Sequence, residues 1–134
     1  MSATAYIDSS ALLKLVVREA ETPALEAYLA RCDGVVASRL VVVECLRAAR
    51  RASRARLLQT VEEVLEAVYL LEITPAILEE AAMAGSPLLR TLDAIHLATA
   101  LSIDDPELAV IVYDERLAKA ARAAGLTVVQ PGIA

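Results

Sequence analysis

The sequence predicts an α/β fold in which helices cover both faces of a mainly parallel sheet. Short, continuous apolar runs that end in a polar residue, such as "GVVAS" at 34–38, are typical of parallel strands buried on both faces. Longer segments, in which apolar residues recur at spacings of three and four, lie between these runs and are typical of helices. Strands that alternate with helices favour a layered α/β arrangement.

The predicted elements follow one another along the whole chain. Strands are predicted at 3–8, 34–38, 108–114 and 126–131, whereas the segment 68–73 is ambiguous between a helix end and a strand. Pro23 suits a helix start, and Gly85 and Gly125 suit helix ends. Helices are predicted at 11–17, 23–32, 39–52, 55–68, 75–85, 92–102 and 115–125.

Length and composition predict one domain, residues 1–134, with an aliphatic core. The chain has 134 residues without a Gly/Ser/Pro-rich linker, and 57% of them are hydrophobic although Phe and Trp are absent. Charged residues interrupt every apolar run before it reaches the length of a membrane span or a signal peptide, so we expect a cytoplasmic protein. Cys32 and Cys45 have neither CxxC spacing nor neighbouring histidines, which favours buried free thiols.

Four acidic residues stand out from their apolar neighbours. Asp8 and Asp114 end predicted strands, and sites in open α/β sheets form beyond the carboxyl ends of the strands. Glu44 and Asp93 lie within predicted helices of mainly apolar sequence. Simpler roles exist for each acid: the three aspartates could cap the helices beginning at Ser9 or Ser10, at 94 and at 115, and Glu44 could pair with Arg47. Capping alone, however, gives no reason for four acids in four separate elements, because Ser, Thr and Asn cap equally well.

If the four carboxylates meet, protons or cations must enter the site. Two unit charges about 4 Å apart repel by roughly 4 kcal/mol at an effective dielectric constant near 20. Carboxylates without His or Cys partners are hard ligands, which favour Mg²⁺ or Mn²⁺ over zinc. Such a site suits the hydrolysis of phosphodiester bonds. The only histidine, His96, lies beside apolar residues in a predicted helix, and this position favours a structural role for it. The sequence contains no glycine-rich phosphate loop.

Four blocks follow one another along essentially the whole chain, namely "YIDSSALLKL", "SRLVVVECLRA", "LRTLDAIHLATAL" and "VYDERLAKAARAAGLTVVQP". In this order they resemble the four blocks of the PIN domain, most closely those of the VapC-like toxins of type II toxin-antitoxin modules. The resemblance implies a three-layer α/β/α fold and an Mg²⁺- or Mn²⁺-dependent endoribonuclease. It also implies catalytic and metal-binding roles for Asp8, Glu44, Asp93 and Asp114.

The resemblance has one departure and implies two partners. Family members often have Thr or Ser two residues before the last acid, where this chain has Val112. Ser10 or Thr91 could supply a polar group nearby. The family also implies a homodimer and a cognate VapB-like antitoxin, commonly with an arginine that reaches the acids. A hydrophobic groove between the early helices could take an amphipathic antitoxin segment.

The charge distribution bears on RNA binding. The net charge of −5 argues against a broad basic surface, but "RAARRASRAR" at 47–56 concentrates five arginines. Three of these and a serine near the first strand are the candidate RNA-binding residues: Arg47, Arg50, Arg51 and Ser10. The arginines could instead pair with Glu62, Glu63 or Glu66 on a solvated helix face.

Two other function classes compete with the nuclease. One is a PIN-like module that binds RNA or protein without cleaving, which the presence of all four acids disfavours. The other is a phosphoacceptor receiver domain, which needs an acid pair after the first strand and a lysine after a late strand. The first strand is followed by "DSS", with one acid, and both lysines lie within helical patterns.

Overall fold

The computed structural model describes residues 3–134 and has five strands and seven helices in that range. The strands are β1 (Thr4–Ile7), β2 (Gly34–Ser38), β3 (Tyr69–Leu71), β4 (Ala109–Ile111) and β5 (Thr127–Val129). The helices are α1 (Ser9–Val16), α2 (Thr22–Ala30), α3 (Leu40–Arg51), α4 (Ala55–Glu66), α5 (Pro75–Met83), α6 (Thr91–Leu101) and α7 (Glu115–Ala123).

The strands form one sheet in the order β3-β2-β1-β4-β5, and each neighbouring pair in residues 3–134 is parallel. The central strand β1 is paired on both sides, since Ala5 lies opposite Val35 of β2 and Ala109 of β4. The ambiguous segment 68–73 contains the short edge strand β3. The predicted α/β class and parallel sheet are confirmed.

Side chains of β1 alternate between the two faces of the sheet. Ile7 packs in a cluster with Leu12 of α1 and Val61 of α4, whereas Tyr6 packs with Leu97 of α6 and Leu117 of α7. Helix α5 packs against α6 on the second side. These contacts build three layers, α/β/α, and the core is mainly aliphatic as the composition predicts.

Helix ends follow the sequence signals in several places. The side chain of Thr74 caps α5 by accepting a hydrogen bond from the Ile77 amide at 3.2 Å, and Pro75 is the first helical residue. Gly85 and Gly125 follow α5 and α7 with φ values of +68° and +90°, which glycine adopts without strain.

The two cysteines are free thiols in the part of the chain that the structure describes. Cys45 is buried, and burial, together with the charges of Glu44 and Asp8, raises the pKa of its thiol to about 12. Cys32 is only partly buried. Across residues 3–134, no helix has the length and apolar character needed to cross a bilayer.

Candidate active site

Two of the predicted acids follow neighbouring strands of the sheet. Asp8 comes directly after β1, and Asp114 comes three residues after β4, whose last residue pairs with the last residue of β1. The hydroxyl of Ser10 links the two strand ends, since it donates to Asp8 Oδ1 at 2.6 Å and accepts from the Tyr113 amide at 3.0 Å. Parallel pairing thus brings both carboxylates to one edge, as expected for an α/β site.

Asp8 is a buried carboxylate that also caps a helix. Its side chain is the N-cap of α1 and accepts a hydrogen bond from the Ala11 amide at 3.1 Å, so the predicted capping role is confirmed. Only 3% of the residue is exposed. Burial raises the pKa of this carboxyl above its usual value, and the hydrogen bond from Ser10 offsets that rise only in part. A nearby cation would therefore stabilise the ionised form.

Arg90 bridges the other two aspartates. Its Nε donates to Asp93 Oδ2 at 3.0 Å, and a terminal guanidinium nitrogen lies 3.3 Å from Asp114 Oδ2. The Asp93 carboxylate raises the pKa of Arg90 by hydrogen bonding, and Asp114 and Glu44 raise it further by their charges. A positive group thus already lies between two of the predicted ligands.

Asp93 does not cap its helix, so that alternative is wrong. Helix α6 begins at Thr91, three residues earlier than the 94 expected for a cap at Asp93, and Arg90 occupies the N-cap position. Asp93 lies in the first turn, where a negative charge is favoured by the helix dipole. Asp114, in contrast, caps α7 as predicted, by accepting from the amides of Arg116 and Leu117 at 2.9 and 3.2 Å.

Glu44 is held by a buried hydrogen-bond chain. Its Oε1 lies 2.7 Å from His96 Nε2, and His96 Nδ1 lies 2.8 Å from the hydroxyl of Tyr6. Both His96 and Tyr6 are 1% exposed. Burial raises the pKa of Tyr6, so its hydroxyl stays protonated and can donate to Nδ1. When Tyr6 donates to Nδ1, the hydrogen on Nε2 is directed to Glu44, and the imidazole fixes the direction of the Glu44 carboxylate.

The partner of Glu44 differs from the one that its helix neighbours predicted. No Glu44–Arg47 salt bridge exists among the described residues, and His96, on another helix, is the partner. The structural role expected for His96 is consistent with its burial, but the residue also contacts a predicted site residue. Neither Tyr6 nor Arg90 was predicted to contact the carboxylates or their partners. The spacing of three residues between Arg90 and Asp93 on a helix was a usable signal for their pairing.

The charges of the four carboxylates act on two side chains, Arg90 and Tyr6, and Glu44 acts on both. Asp93, Asp114 and Glu44 all act on Arg90, and Asp8 and Glu44 both raise the pKa of Tyr6. Their donor atoms are carboxylate oxygens, which fit Mg²⁺ or Mn²⁺, and the raised pKa of Asp8 shows a charge that the protein compensates incompletely.

The same carboxylates are engaged with protein groups in this conformation. Within residues 3–134, no three acidic, histidine or cysteine side chains are grouped closely enough to hold one metal ion. Asp93 and Asp114 bind Arg90, Glu44 binds His96, and Asp8 binds Ser10 and the α1 backbone. Joint metal binding through the Oδ2 atoms of Asp93 and Asp114 therefore requires the Arg90 side chain to turn away.

Of the two hydroxyls expected to compensate for Val112, that of Ser10 does not contact Asp114, and that of Thr91 stays a prediction. Val112 is fully buried, and the hydroxyl of Ser10 binds Asp8 and the Tyr113 amide rather than Asp114. The role of Ser10 at the strand ends is thus structural in this conformation. RNA contact by Ser10 stays a prediction.

The arginine cluster of α3 lies on the surface. Its exposed side chains line a hollow of about 240 Å³, and in the described range none of them pairs with Glu62, Glu63 or Glu66. The alternative to RNA binding, in which these arginines form salt bridges with the glutamates of α4, is therefore not observed in the described part of the chain. RNA binding there stays a prediction for Arg47, Arg50 and Arg51.

The sequence matches a known family over most of its length. The family model described as PIN domain matches residues 5–123. The chain belongs to the PIN domain family. Ribonuclease VapC35 of Mycobacterium tuberculosis is 41% identical over 131 residues, which cover 95% of this chain and 96% of that protein. Ribonuclease VapC46 of the same organism is 38% identical over 139 residues, covering 96% and 98%.

Solved structures agree with this PIN fold. The sarcin-ricin loop cleaving toxin VapC20 of Mycobacterium tuberculosis aligns with a TM-score of 0.75 over 95% of this chain and 99% of that chain, at 18% identity. A toxin-antitoxin complex from Klebsiella pneumoniae contains a chain that aligns with a TM-score of 0.70, over 95% and 97%, at 23% identity. At these identities the likeness concerns the fold.

Proposed function

We propose that this PIN domain is a metal-dependent endoribonuclease, the toxin of a toxin-antitoxin module. One observation carries the proposal: Ser10, Arg90 and His96 hold the four carboxylates by hydrogen bonds near the carboxyl edge of the sheet, where Asp8 is buried. Relatives that are 34–41% identical over most of the chain are named ribonucleases, which supports RNA as the substrate.

Asp8, Glu44, Asp93 and Asp114 are the proposed metal ligands. Bound Mg²⁺ or Mn²⁺ supplies a charge that activates water and stabilises the leaving oxygen in the hydrolysis of an RNA phosphodiester. Ser10 and the α1 backbone hold Asp8, and His96 holds Glu44, so these two carboxylates are oriented before any ion binds. Arg90 offsets one of the two negative charges of Asp93 and Asp114, and an ion that binds the same Oδ2 atoms would have to displace it.

Two partners belong to the same proposal. Solved relatives described as toxin-antitoxin complexes support a cognate VapB-like antitoxin. The bridging of Asp93 and Asp114 by Arg90 shows that these acids accept a guanidinium, the group we expect from an antitoxin. The exposed apolar side chains of α5 and α6 support a homodimer, since such patches mark interfaces; they are Leu78, Met83, Leu92 and Leu101.

Cleavage of RNA by the purified chain tests the proposal. We expect discrete products from a mixed cellular RNA pool with Mn²⁺ or Mg²⁺ and none with EDTA. Asp93→Asn removes one negatively charged ligand at constant side-chain size. It should lower the cleavage rate at least about a hundredfold, because substitution of residues that only support a metal ligand already lowers activity by about 10- to 100-fold. Gel analysis of labelled RNA measures the rates.

A matched variant controls for the loss of a surface charge. Asp104→Asn makes the same substitution at an exposed residue after α6, outside the carboxylate group, and should cleave at the wild-type rate. Two results contradict the proposed function. Either the wild type cleaves no RNA in any metal condition, or Asp93→Asn and the wild type cleave at the same rate. The first of these results favours the non-catalytic binding module instead.

A further inference from the structure

A groove lies beside the carboxylates, between α7 and the loop that precedes α6. Its volume is about 660 Å³. Apolar walls are formed by Leu88 and Leu89 on one side and by small alanines of α7 on the other. Leu88 is 92% exposed, an unusual position for a leucine with no partner in the described residues.

The groove is positively charged although the chain as a whole carries a net charge of −5. Three cationic side chains line it, namely Arg90, Arg116 and Lys119, and no acidic residue does. Among residues 3–134, Arg116 and Lys119 form no salt bridge, and both are exposed. Their charges are thus available to an anionic ligand.

The groove is continuous with the candidate active site. Arg90 lines the groove and also binds Asp93 and Asp114. Arg116 lines it as well, while its backbone amide donates to Asp114 Oδ1 at 2.9 Å. A polyanionic chain that lies in the groove therefore reaches the carboxylates at one end.

We propose that this groove binds the RNA strand adjacent to the cleaved bond, an inference that rests on the proposed function. Phosphates pair with Arg116 and Lys119, and the apolar walls contact ribose and base faces. No aromatic side chain lines the groove, so binding depends on the backbone more than on base identity. A phosphate at its inner end also competes with Asp93 and Asp114 for Arg90, which couples RNA binding to release of the proposed metal ligands.

Binding of RNA in the absence of cleavage tests the groove. A fluorescently labelled single-stranded RNA of mixed sequence is titrated with protein in EDTA, and its anisotropy gives the Kd over a range of salt concentrations. The test variant combines Arg116→Ala and Lys119→Ala. Each phosphate contact to a single strand contributes about 0.7 to the salt exponent, so we expect the exponent to fall by about 1.4 and the Kd to rise about 25-fold at about 0.1 M salt.

A second double variant controls for overall charge. Arg18→Ala with Arg31→Ala also removes two positive charges. Both residues are exposed, lie beside α1 and α2 on the face of the sheet opposite α7, and do not line the groove. Its Kd should stay within about threefold of the wild-type value, because distant exposed charges are largely screened. Melting temperatures of both variants, measured by circular dichroism, verify that they are folded.

The outcomes separate this inference from the proposed function. Three results overturn the groove assignment: an unchanged RNA affinity in the groove variant, an equal loss of affinity in both double variants, or no RNA binding by the wild type. In the first case a peptide segment of a protein partner becomes the better occupant. If RNA binds through the groove while no metal condition gives cleavage, the groove assignment stands and the proposed catalysis fails. If cleavage occurs and the groove variant binds normally, only the groove assignment fails.

Discussion

Asp8→Asn is expected to stabilise the protein while abolishing cleavage of RNA. Burial raises the pKa of Asp8 in the folded state, so protonation favours folding and the ionised carboxylate is destabilising at neutral pH. The neutral asparagine can still accept hydrogen bonds from Ser10 and from the Ala11 amide as an N-cap. We expect a gain of about 1 kcal/mol or more, or about 3 to 5 °C in melting temperature, at pH 7 without metal.

The pH dependence of this gain follows from the direction of the pKa shift. The stabilising contribution of protonated Asp8 is fully present below its ordinary pKa, near 3.8, and is lost as pH rises through the higher pKa of the folded state. The stability difference between variant and wild type should therefore be large at pH 7 and shrink toward pH 4. Thermal unfolding across this range measures it. A lower melting temperature for Asp8→Asn at pH 7 would show that the charge itself stabilises α1, contrary to the account.

His96→Ala is expected to cost about 3 to 5 kcal/mol of the free energy of unfolding. The substitution leaves a cavity beside the sheet and removes the partner of the buried Tyr6 hydroxyl. Loss of that size approaches the whole stability of many domains, so the variant can fail to fold. Urea unfolding measures the change.

Tyr6→Phe tests the same hydrogen-bond chain with less disruption. It deletes one hydroxyl, leaves His96 Nδ1 without its partner and should cost about 1 to 3 kcal/mol. We expect RNA cleavage to fall about 10- to 100-fold, because His96 no longer holds Glu44 in one direction. Tyr69→Phe makes the same substitution at a residue that is 69% exposed and should change neither quantity. Wild-type cleavage by folded Tyr6→Phe would assign the chain a purely structural role.

Local patterns predicted most of the architecture. Periods of three to four residues marked all seven helices, and short apolar runs marked four of the five strands, because these signals depend on neighbours in sequence. The edge strand β3 was ambiguous because its three residues directly follow the apolar pattern of α4. The strand predicted to end at Asp114 stops at Ile111, and the next residues form the turn into α7.

Contacts between distant elements explain what sequence patterns missed. The partner of Glu44 is 52 positions away on α6, so a search among helix neighbours found Arg47 instead. Tyr6 gave no signal, because a tyrosine in a buried strand looks like any core residue until His96 is placed beside it. Asp93 was taken for a possible cap of a helix that begins at 94, whereas the helix begins at Thr91.

Titration of Mn²⁺ into the purified chain tests the central claim most directly, since the account depends on four carboxylates acting as one metal site. Isothermal titration calorimetry should show saturable binding to the wild type that EDTA reverses. Asp8→Asn, correctly folded and more stable, should lose that binding, whereas Asp104→Asn should retain it. Two results would contradict a metal site built on these acids. Either the wild type shows no heat of Mn²⁺ binding, or the wild type and Asp8→Asn show equal heats.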